Sequence, residues 1–90
     1  MAFDETAQIH IEAGTPVFYV HEVDSGFELR TIAFQRATSQ HAETLSKHLA
    51  SEDEAIAFCM THPSAETSMI VITTVRSDGG VTLRSFRKAA

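Results

Sequence analysis

Apolar and polar positions change rhythm along this chain, and each change marks an element. Ala7, Ile9, Ile11 and Ala13 alternate with Gln8, His10 and Glu12, the period of a half-buried strand. Gly14-Thr15-Pro16 breaks that run, and Val17 to Val23 follows as a segment dense in β-branched and aromatic residues, which predicts a second strand. Asp24-Ser25-Gly26 has tight-turn chemistry, after which Phe27 to Gln35 predicts a third strand. Within that strand Phe27 and Leu29 share one parity while Ile32 and Phe34 share the other. One flat half-buried strand cannot keep all four on one face: either a bulge near Arg30-Thr31 shifts the register, which is the favoured reading, or the far end of the strand is covered on its second face.

The rhythm then weakens. Across residues 38–50, Ala42, Leu45 and Leu49 form a narrow stripe at helical spacing, and Glu43 and Lys47 stand four apart in the order that suits a helix. The many Ser and Thr compete for backbone hydrogen bonds, so this stretch reads as either a short helix or a loop. Residues 51–62 are far better specified. Ser51 and Glu54 have the spacing of a capping box, and Glu52, Asp53 and Glu54 lie where the helix dipole is positive. Ala55, Ile56, Phe58, Cys59 and Met60 fall on one arc, and Pro63 stops the helix at His62. Thr67 to Val75 is nearly continuous in β-formers and predicts an interior strand covered on both faces at least in its first half, Met69 to Ile72. Ser77-Asp78-Gly79-Gly80 is a hairpin turn, and Val81 to Arg87 returns as a strand whose charges suit an edge.

The order β-β-β, one or two helices, β-β predicts an α+β fold: a two-layer antiparallel sheet of four to five strands with the helix across one face. Phe18, Val20, Ile32, Phe34, Ile70, Ile72 and Phe86 all occupy even positions. Should the helix cover the odd set, these seven form a large apolar surface, which on a small protein marks an interface.

Composition narrows the class. Ninety residues make a single domain, with residues 1–5 expected to fray and 51–62 as its central helix. The hydrophobic share of 43% beside 21% charged is globular, not disordered. No apolar run reaches the roughly 18 residues of a membrane span, and the acidic start Met1-Ala2-Phe3-Asp4-Glu5 lacks the basic opening of a secretory signal. The lone Cys59 cannot form an internal disulfide, which suits a cytoplasmic location. Net charge is −5, split unevenly: residues 1–66 carry −8 and residues 67–90 carry +3. That sign disfavours nucleic-acid backbones and favours a basic protein partner.

Three groupings invite chemistry. Cys59 and His62 stand three apart on the helix and are potential metal ligands, yet a structural zinc site needs four ligands and no further paired spacing exists. A buried core thiol and a helix-end histidine account for them better, and no acid is tied to His62 for cysteine catalysis. Glu52-Asp53-Glu54 is accounted for by its place in the first helical turn. Arg76, Arg84, Arg87 and Lys88 gather in the last hairpin as potential anion contacts.

From Ser51 onward, the capped SEDEAIAF helix and the RSDGG hairpin turn resemble small bacterial and phage domains built as two hairpins around a helix. Antitoxin-like modules and phage-encoded inhibitors of host defence are among these. The resemblance rests on a cap and a turn and gives no residue a role. The reading is a non-enzymatic interaction or regulatory module without a cofactor, a homodimer meeting a protein partner through an apolar sheet face or strand edge. The alternatives are a metal or ligand sensor using Cys59 and His62, and a nucleic-acid-binding regulator using the basic hairpin.

Overall fold

A computed structural model describes residues 3–7, 14–35, 40–62 and 69–88. The chain is α+β, with one helix and a six-stranded mixed sheet. The strands are β1 (Phe3–Thr6), β2 (Pro16–Val23), β3 (Gly26–Gln35), β4 (Gln40–Leu49), β5 (Met69–Val75) and β6 (Val81–Lys88), with helix α1 (Glu52–Thr61) between β4 and β5. Across the sheet they run β1-β6-β5-β2-β3-β4. All neighbours are antiparallel except β2 and β5, which are parallel.

The parallel pair corrects the expected all-antiparallel sheet. The meander β2-β3-β4 grows outwards from β2, and the chain then crosses one face through α1. That crossover returns β5 to the free side of β2, pointing the same way. Two further expectations change. Residues 40–49 are a strand, not a helix or loop, and Phe3–Thr6 is a strand paired with β6, not a frayed end. Because β1 covers it, β6 is an inner strand and not an edge. The expected strand at Ala7 to Ala13 lies, apart from an exposed Ala7, outside the described residues, as do residues 1, 2, 67 and 68.

The bulge is where the parity shift placed it. Tyr19 faces Thr31 and Val20 faces Leu29, leaving Arg30 as the extra residue. It rotates the strand by one position, so Phe27, Leu29, Ile32 and Phe34 all join the core beneath the helix. At the β2-β3 turn, Gly26 has φ of +142°, and a Cβ there would collide with the Leu49 carbonyl oxygen on β4. Only glycine lets the three strands meet at this corner.

Helix α1 is capped as its chemistry requires, with one change of partner. The Glu54 amide donates to Ser51 Oγ at 3.2 Å, while the Glu54 carboxylate accepts from the amide of Ala50 at 3.0 Å, one residue before the cap. Ala55, Ile56 and Cys59 are its buried residues, and it packs over β3, β4 and β5. Under it lie Phe18, Val20, Leu29, Ile32, Ile70, Ile72 and Phe86.

Candidate functional site

The cross-strand registers define rows across each face of the sheet. On the helix side one row reads Arg84, Ile72, Phe18, Ile32, Glu43 from β6 to β4, apolar at its centre and charged at both ends. The expected interface residues are therefore accounted for as core. Phe18, Val20, Ile32, Ile70, Ile72 and Phe86 are buried under α1, and Phe34 packs partly buried against them. The helix lies on the even set because that set carries the larger apolar side chains and gains most from leaving water. The sheet surface left without a helix is the other one.

On that open side the rows grade from closed to exposed. Ser85, Val71, Val17 and Ala33 form a buried row, and Val71 packs with Val17, Met69 and Tyr19 as a second, smaller core. Towards the hairpin turns the next row is Leu83, Thr73, Tyr19, Thr31, then Val81, Val75, His21, Glu28. Leu83 is 46% exposed and Val81 57%, the only large hydrophobic side chains with this exposure among the described residues. Half-buried Val75 is the cross-strand neighbour of Val81, and half-buried Tyr19, His21 and Val23 lie on the same face one strand further on. An apolar strip thus opens at one end of the face, on a rigid inner hairpin.

Acidic groups rim that end. Asp24 sits in the β2-β3 turn and Asp78 in the β5-β6 turn. On the helix side of the sheet, opposite Phe27, the Glu22 carboxylate ties the two turns together, accepting from the Ser77 amide at 3.0 Å and from Ser77 Oγ at 3.1 Å. Those two bonds, the backbone one foremost, hold its pKa below the ordinary carboxylate value, so Glu22 stays ionised. Glu28 continues the outermost row, which ends at His48 on β4, and pairs with Arg30 at 2.8 Å. Burial lowers the pKa of His21, assisted by the Arg30 charge, so its imidazole adds no lasting positive charge to the strip at neutral pH.

Compared with protein-family models, curated proteins and solved structures, the chain gives no match. Its geometry is what bears on function.

The basic residues of the last hairpin are not one patch. Arg84 and Lys88 lie on the helix side of β6 and Arg87 on the open side, because side chains alternate along a strand. Arg84 makes a two-pronged pair with Glu5, at 2.9 and 2.8 Å, and stands 3.8 Å from Glu52. Its hydrogen bonds to Glu5 raise its own pKa and lower that of Glu5. Arg76 pairs with Glu52 at 2.7 Å. These two arginines fasten β1 and the start of α1 to the β5-β6 hairpin, which occupies them structurally. Arg87 and Lys88 are exposed on opposite faces.

Cys59 and His62 are drawn apart in role. Cys59 is fully buried, and desolvation pushes its thiol up to about 12, far from the thiolate that a metal or a nucleophilic step requires. His62 is the C-cap of α1, with its ring 6.1 Å from that of Phe18 and 6.0 Å from that of Phe58. Among the described residues no group of three or more His, Cys, Asp or Glu is arranged to hold a metal ion. The exposed pair Val81 and Leu83 went unnoticed in the sequence. Their signal was parity: odd positions on β6 face away from the helix once the even set is core.

Proposed function

We propose that this protein is a small, non-enzymatic interaction module of the cytoplasm that binds a basic protein through the open face of its sheet. The observation that carries the reading is the exposed strip of Val81 and Leu83 with Asp24, Glu28 and Asp78 at its turn end. Exposed apolar side chains on rigid strands supply contact area at little entropic cost. The carboxylates around them attract a positively charged surface and repel an anionic one. The net charge of −5 acts in the same direction at longer range. An inhibitor or antitoxin-like regulator that occupies the nucleic-acid-binding surface of its target has this combination of charge and apolar contact. Among the described residues no helix is long and apolar enough to cross a membrane.

The test compares wild-type protein with the Val81→Asp/Leu83→Asp double variant as baits for affinity capture. The captured protein is then identified and its binding titrated against salt. A basic partner is expected that the variant loses and whose affinity falls as salt rises. Equal capture by both baits, or an acidic partner, refutes the reading.

A further inference from the structure

The two edges of the sheet differ in kind. At one edge β1 is four residues long and carries Asp4 and Glu5, so a second copy approaching there meets like charge. At the other, β4 runs ten residues, Gln40–Leu49, and no described strand pairs with its outer side. A long open edge is a template for a further strand. The charges on it are Glu43 and Lys47, both exposed. On a chain of net charge −5 this edge is balanced, so two copies meet here without the repulsion that other approaches incur.

We propose that two copies of this chain pair antiparallel, β4 to β4, about a two-fold axis through Leu45. The register follows from geometry and charge together. In an antiparallel ladder, residues directly opposite share a face. A two-fold axis perpendicular to the sheet preserves faces, so it must pass through a residue and its own copy, not between two positions. Of the residues near the middle of β4, only Leu45 as centre sets Glu43 opposite Lys47 of the second copy, and does so twice. Glu43 and Lys47 face the helix side, opposite Ile32 and Leu29, and Leu45 packs against the helix-side core. Lys47 already lies with its ammonium 5.5 Å from the centre of the Phe58 ring, towards the same side. The pairing closes Leu45 against its copy, between two ion pairs, and joins the sheets into one of twelve strands. Both helices lie on one side and both open faces on the other. The dimer therefore presents the apolar strip twice on one surface, which multiplies the apparent affinity for a partner that spans both copies. The proposal uses a different surface from the binding strip and stands independently of it.

Sedimentation velocity over a concentration series decides it, with charge exchange as the lever. Wild type and Val81→Asp/Leu83→Asp are expected to dimerise alike. Glu43→Lys and Lys47→Glu each put like charges opposite one another twice and weaken the dimer about tenfold. The Glu43→Lys/Lys47→Glu double variant restores it. Both positions are exposed, so the fold is not at stake. A wild type that stays monomeric throughout overturns the proposal, as does a dimer indifferent to either single exchange. So does a dimer tightened by Lys47→Ala, since that would make Lys47 a guard of the edge.

Discussion

On the helix side of the sheet, Phe18, Val20, Ile32, Ile70 and Ile72 are at most 1% exposed; on the other side, Val81 and Leu83 are 57% and 46% exposed. The first set comes from β2, β3 and β5 and the second from β6, and on each strand alternation separates the two faces. The helix side holds the large aliphatic and aromatic residues and is closed by Ala55, Ile56 and Cys59. Apart from Met69, Tyr19, His21 and Leu83, the open side's rows are built mainly from Val, Thr, Ser and Ala, with burial concentrated around Val71 and fading towards the turns. One face thus holds the fold together, while the exposed end of the other is free to bind. Substitutions on the first should cost stability, and substitutions on the second should cost partners.

The largest expected effect is at the centre of the closed face. Phe18→Ala removes a fully buried ring and leaves a cavity between the sheet and α1, costing about 3–5 kcal/mol in equilibrium denaturation. Cys59→Ser places a hydroxyl in an apolar site beneath the helix and costs about 1–3 kcal/mol, more than Cys59→Ala if polarity rather than volume decides. The wild-type thiol should meanwhile resist thiol reagents until the protein unfolds, given a pKa pushed up to about 12. Ser51→Ala removes the acceptor for the Glu54 amide and costs about 1 kcal/mol. Leu83→Asp should shift stability by no more than about 0.5 kcal/mol while abolishing capture of the partner.

The smallest effect is in pH. Burial lowers the pKa of His21 on the open face, so as pH falls the unfolded chain takes up its proton first, from roughly pH 6.5. Stability contributed by the neutral ring is full above that pH. It declines as pH falls through the window between the unfolded value and the lower folded one, and is level below it. His21→Gln should flatten this part of a stability–pH profile measured by chemical denaturation.

How much of this was legible in the sequence varied with the range of the interaction responsible. The cap at Ser51, the turns at Gly26 and Gly79, and the bulge at Arg30 are local, and residue chemistry specified each of them. Strand β4 was obscured because an edge strand needs no apolar alternation. Its helix-facing positions read Glu43, Leu45, Lys47, Leu49, while Ala42, Leu45 and Leu49 happen to fit a helical stripe. Strand β1 has only Phe3 to bury, and its place is set by distant partners, Phe86 and the Arg84 pair with Glu5. The parallel meeting of β2 and β5 depends on where α1 returns the chain, which no short window records. The same blindness governed the site. The even-position set was readable as one face, but which face the helix would take depended on comparing the two sets, and the small exposed pair on β6 showed itself only once that choice was made.

The most direct test of the two-face account is site-specific photo-crosslinking in cells, with the reactive group placed at Leu83 on the open face or at exposed Ala57 on the outer side of α1. The account predicts a discrete adduct with a basic protein from Leu83 and none from Ala57. An adduct from Ala57 alone, or no adduct from Leu83, contradicts it.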